Sequence, residues 1–141
     1  MPNTIYNAYK QSLLAGDTNV DLDNDTVNDG VYALLIDTGS YTFSAAHQFY
    51  SQVSAFAGAI IAEQRIGGPT VTNGVLDGSD ITFNSVTGAN AEAIILYRRN
   101  AGANTTWRLV AFIDTGITGL PVLPNGGNIT ITWNALGIFA I

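Results

Sequence analysis

The chain has 141 residues, no cysteine, 11% charged residues and 47% from the apolar and aromatic set, with a net charge of −6. That composition excludes disulfides and thiolate metal sites and is too apolar for a disordered chain. It also argues against nucleic acid as a partner, because the only cations are Lys10, Arg65, Arg98, Arg99 and Arg108, too few to track a phosphate backbone.

The length suits one domain carrying an arm. A mean hydropathy of +0.22 with so few charges leaves apolar surface to cover, which points to subunit contacts. The opening MPNTIYNAYKQSLLAG lacks the basic and long apolar regions of a signal peptide. No run approaches the ~18 apolar residues of a membrane span, so synthesis in the cytoplasm and no membrane partner are expected.

In chain order, Ile5, Tyr6, Tyr9, Leu13 and Leu14 fall on one helical face over residues 4–14. Asn3 or Thr4 is placed to cap this helix and Gly16 to stop it. A helix this short is marginal in water unless it lies on something. Residues 1–24 are therefore read as an N-terminal arm with an acidic link, and 25–141 as the body. From Val31 the run VYALLID reads as a strand, and AAHQFYSQVSAF after it as a short helical insertion. Strands are expected near 59–65, 70–73, 81–87, 92–99, 106–114 and 128–134, separated by turns such as NG at 73–74 and PNGG at 124–127. In ITFNSV, residues Ile81, Phe83 and Ser85 share a face; in NITITW, Ile129, Ile131 and Trp133 do the same, with threonines opposite. Many short strands at this spacing predict an all-β fold, an antiparallel sandwich or barrel. The closing LGIFAI is expected as an edge strand or at a subunit contact, with Phe139 and Ile141 as interface residues.

Two stretches spell the aspartic protease motif: LLIDTGS at 34–40 and AFIDTGI at 111–117. Asp37 and Asp114 could supply two carboxylates sharing one proton. Yet an apolar strand followed by Asp-Thr-Gly is also how a strand runs into a turn, because Asp and Thr bond nearby backbone and Gly takes positive φ. The match between the two copies ends after four to six residues, so no duplication is indicated. VDLDNDTVNDG puts Asp21, Asp23 and Asp25 at calcium-loop spacing, but Thr26 stands where the loop needs Gly and Tyr32 where it needs Glu. His47 is the lone histidine, without a nucleophile elbow nearby. Glu63 and Glu92 are isolated carboxylates. No catalytic set, metal site or cofactor is expected.

The order TIYNAYKQSLLAGD, ALLIDTGSYTFSAAHQF, GVLDGSDITFNSVTGANAEAIILYR and RLVAFIDTGITGLPVLPNGGNITITWNALGIFAI resembles small virion structural proteins of tailed bacteriophages, cyanophage members included, of the capsid decoration or cement type. The resemblance spans nearly the whole chain. Its most specific pieces are Asp37-Thr38-Gly39 with Tyr41 and Ala46-His47, and Pro124 through Asn134. The acidic stretch before Val31 is longer here than in that pattern. The resemblance implies a virion protein on the outer head surface, a homotrimer binding the major capsid protein and stabilising the shell, with no enzymatic activity. The arm residues Ile5, Tyr6, Tyr9, Lys10, Leu13 and Leu14 would then be the contact element. A tail, neck or fibre component binding a partner protein or a cell-surface glycan is the alternative.

Overall fold

The structure is a computed structural model that describes residues 3–141. Strands hold 36% of the residues and helices 12%, the sheets are antiparallel, and the fold is an all-β, sandwich-like one.

The main sheet has six strands. Its spine is β3 (Asp29–Ile36), β8 (Ala93–Arg99) and β9 (Arg108–Ile113), ordered β1-β9-β8-β3-β2, with β4 (Ile60–Arg65) also paired to β3. The short strands β1 (Thr4–Ile5) and β2 (Asp25–Thr26) finish its edges. Two smaller sheets join β7 (Ile81–Phe83) to β10 (Ile129–Ile131), and β5 (Thr70–Thr72), β6 (Val75–Asp77) and β11 (Phe139–Ala140) in the order β11-β6-β5.

Alternation would leave one face of β3 in water, but every residue from Val31 to Ile36 is buried. Both faces of the sheet are therefore covered, as its unbroken apolar run suggests. The register puts Tyr32 opposite Tyr97 and Leu34 opposite Ile95 on β8, and Ile95 opposite Phe112 on β9. That face meets an aromatic belt from the β3–β4 connection, where the rings of Tyr41 and Phe43 lie 6.5 and 4.9 Å from Phe112. The small sheets add Leu76, Ile81, Phe83, Ile129 and Ile131 to the same core, and Trp133 just after β10 joins them.

Most expected strands are present, with instructive differences. The 81–87 strand stops at Phe83. Ser85 turns to φ 51 instead of sharing the face of Phe83, and Val86 takes the buried place. The segment 75–77, not expected as a strand, is the second half of a hairpin turned by Asn73 and Gly74 at φ 52 and 78, the double positive φ of a type I′ turn. The insertion helix α2 is limited to Tyr50–Ser54, with Gln52 Oε1 accepting from the backbone N–H groups of Gln48 and Phe49.

The N-terminal stretch lies against its own domain. Residues 4 and 5 are strand, pairing with Phe112 and Ala111, and the helix α1 spans Asn7–Ala15. Tyr6, Tyr9 and Leu22 belong to the common core, so the division at residue 24 does not separate two packing units. Gly16 does stop α1, in the left-handed region at φ 70. The expected cap is absent: Tyr6 stands at the N-cap with no side-chain bond. Asn3 instead holds a turn at the far end of β9. Among the described residues, no helix is long and apolar enough to cross a membrane.

Candidate functional site

The expected contact residues divide sharply by burial. Tyr6 and Tyr9 are 0 and 1% exposed, consumed by their own chain, and the expectation that they touch a partner is corrected. Tyr6 gives its ring to Phe43 at 5.5 Å and its hydroxyl to a contact with Tyr41 at 3.0 Å. Tyr9 donates to the carbonyl of Val20 at 2.6 Å. Burial pushes both phenols far above their usual range, so they remain neutral hydrogen-bonding groups. Ile5 and Leu13 are half-buried, whereas Lys10 is exposed and Leu14 is 91% exposed.

The structure brings the two ends of the sequence together. Tyr9 and Leu13 from α1, Val20 and Leu22 from the link, Leu76 and Phe139 from the β5-β6-β11 sheet, and Ile141 just past β11 line one groove of about 200 Å³. Among the described residues, its acidic lining residues are Asp21 and Asp23. Two lining residues, Val71 and Ile141, are large apolar groups at 50 and 71% exposure. The strand β11 is an edge strand, as the sequence implied, tied by Ile138 N to Leu76 O at 2.7 Å and Ile141 N to Gly74 O at 2.8 Å. Val71 was not singled out from the sequence. The NG turn at 73–74, which folds 70–72 back on 75–77, was the available signal.

The two Asp-Thr-Gly turns leave the same end of the main sheet, because β3 and β9 both run antiparallel to β8. One strand, β8, lies between them, which sets the two strands about 9–10 Å apart. Asp37 spends its carboxylate on its own turn, with Oδ1 accepting from Gly39 N at 2.8 Å and Oδ2 from Ser40 Oγ at 2.9 Å. Glu92 holds the next residue, accepting from the N–H and hydroxyl of Thr38. The second turn is held differently: Asn3 Oδ1 accepts from the backbone N–H groups of Asp114 and Thr115, at 2.9 and 3.1 Å. Two unlike fastenings agree with the absence of an internal repeat.

The acidic link is fastened by arginines. Arg98 is 1% exposed and donates to Asp21 Oδ1 at 3.0 Å, to the Asp21 carbonyl at 2.6 Å and to Asp29 Oδ1 at 2.6 Å. Arg65 pairs with Asp25, which also accepts from Gly68 N at 3.0 Å. Asp21 and Asp25 therefore face guanidinium groups rather than one another. Among the described residues, no group of three His, Cys, Asp or Glu side chains is placed to hold a metal. Arg99 lies over the Trp107 ring at 4.3 Å and reaches Glu63 at 3.3 Å, so Glu63 is an ion-pair partner.

His47 joins the aromatic belt. Its Nδ1 is 2.8 Å from the Tyr41 hydroxyl, its ring is 6.1 Å from Phe56, and burial holds its pKa below the ordinary imidazole range. The chain matches no family model, and comparison with curated proteins finds no match.

Proposed function

We propose that this protein is a virion structural protein, a capsid decoration protein that docks on the outer head shell and stabilises it, without catalytic activity. The observation that carries this reading is the groove where α1 meets β11, with Val71 and Ile141 exposed at it. Apolar side chains held in water by a well-packed domain favour a covered interface. The sequence resemblance supplies the virion setting, the major capsid protein as partner and the homotrimer; the low charge and high mean hydropathy support an assembled state.

The test is a cryo-EM reconstruction of particles from a lysate that contains this chain. Density for it on the outer head supports the reading, and three-fold positions support the trimer. Density at the tail moves the reading to a tail or neck component, and absence from particles overturns it. Deleting residues 1–15 is a poor companion test, since it removes Tyr6 and Tyr9 from the core. Ile141→Asp, at an exposed position, should leave the fold intact and abolish head binding.

A further inference from the structure

We propose that the groove between α1 and β11 takes a segment of a different protein that carries apolar anchors beside Lys or Arg, and not a second copy of this chain. The proposal deepens the docking reading and rests on it for the groove's role. The floor and sides are Tyr9, Leu13, Leu76, Phe139 and Ile141, which reward an apolar side chain by removing it from water. The polar members are Asp21 and Asp23. Asp21 already binds Arg98. Asp23 is exposed and has no ion-pair or hydrogen-bond partner among the described residues. A cation brought beside the anchor would meet that carboxylate.

A second copy is poorly equipped to bring one. Arg65, Arg98, Arg99 and Arg108 are each paired within the chain. Lys10 is the one cation without an ion pair among the described residues, against eleven carboxylates in the sequence. Like-charge contact suppresses wrong partners, so an acidic rim on an acidic chain selects against self-docking at this face.

The test uses the full chain and a displayed library of random 12-residue peptides, counter-selected against the Ile141→Asp variant. A thermal melt of that variant first shows it folded, and Val71→Glu serves as a second groove variant. The expected enrichment is two or more apolar residues flanked by Lys or Arg, with Asp23→Asn weakening the winners by about two- to fivefold, as for an exposed ion pair. Winners without basic residues, winners indifferent to Asp23→Asn, or no groove-dependent winners each overturn the proposal. Protection of Val71 and Ile141 that grows with protein concentration alone, in hydroxyl-radical footprinting, also overturns it and assigns the groove to self-association. The outcomes separate from the virion reading. Basic–apolar winners with no chain on particles sink only the decoration role, and particle density without such winners sinks only this assignment.

Discussion

The hydroxyl of Tyr41 lies 2.8 Å from Nδ1 of His47, and on its other side 3.0 Å from the hydroxyl of Tyr6. With His47 neutral and Nδ1 bare, the chain runs without a gap: Tyr6 donates to Tyr41, and Tyr41 to His47. A protonated His47 must donate from Nδ1. Tyr41 then turns its proton to Tyr6, whose own buried proton loses its acceptor, a costly state. This relay pins Tyr6, the residue just before α1, to the aromatic belt.

The first prediction is a pH dependence. Burial lowers the pKa of His47 in the folded chain, so the unfolded chain takes up the proton first, near its ordinary ~6.5. Stability from this group is complete above that value and falls as pH drops toward the folded pKa. The rings nearest His47 are Tyr41 and Phe56, neither of them charged at these pH values. Urea midpoints at pH 8 and pH 5 should differ more for the native chain than for His47→Gln. Equal differences would exclude the relay as an acid-sensitive element.

Arg98 tests the acidic link. Removing a buried charge partner is strongly destabilising, about 3–5 kcal/mol where both charges are buried. Here Asp21 and Asp29 are 52 and 42% exposed and can rehydrate, so Arg98→Ala should cost less, about 2–3 kcal/mol. Cleavage of residues 17–29 by a protease should accelerate at the same time. A link that stays protected would show that Tyr9 and Leu22 hold it without the arginine.

Gly137 and Gly126 form a controlled pair. Both have positive φ, 116 and 90. A Cβ on Gly137 would clash with Val75 Cγ1 and press on the Leu76 carbonyl, whereas one on Gly126 meets nothing within 4 Å. Gly126→Ala should cost about 1 kcal/mol, from backbone strain alone. Gly137→Ala should cost more, about 2–4 kcal/mol, from strain plus overpacking. It should also unseat β11, read as faster amide exchange at Ile138 and Ile141.

Asp37 tests the turn reading of its motif. Asp37→Asn keeps an acceptor for Gly39 N and should change stability by under about 1 kcal/mol, whereas Asp37→Ala loses both bonds of a buried group and should cost about 1–3 kcal/mol. Pepstatin-sensitive cleavage by the native chain at pH 3–6, abolished in Asp37→Asn, would restore the protease reading.

The strands were legible where period and turn chemistry agreed. Ile129 and Ile131 face inward, and Thr130 meets Thr82 across the outer face at 3.1 Å, as the alternation implied. The amphipathic face of residues 4–14 was equally visible, but its destination was not. Apolar spacing says that Tyr6 and Tyr9 need a surface and cannot say whose. Pairing of Thr4 with Phe112 joins residues over a hundred positions apart, and no local pattern encodes that contact. Asn3 shows the same limit: its side chain suited a helix cap, yet a turn more than a hundred residues away claimed it. Leu13 and Ile141 were each singled out for separate reasons; that they line one groove is a property of topology alone.

The groove has a consequence in time as well as in space. Its walls come from α1 and from β11, the first helix and the last strand among the described elements. A ribosome-bound chain that has not yet emerged past residue 139 has a helix with its apolar side uncovered but no second wall to receive a partner. Under the proposed docking role, the groove is complete only once β11 has paired with β6.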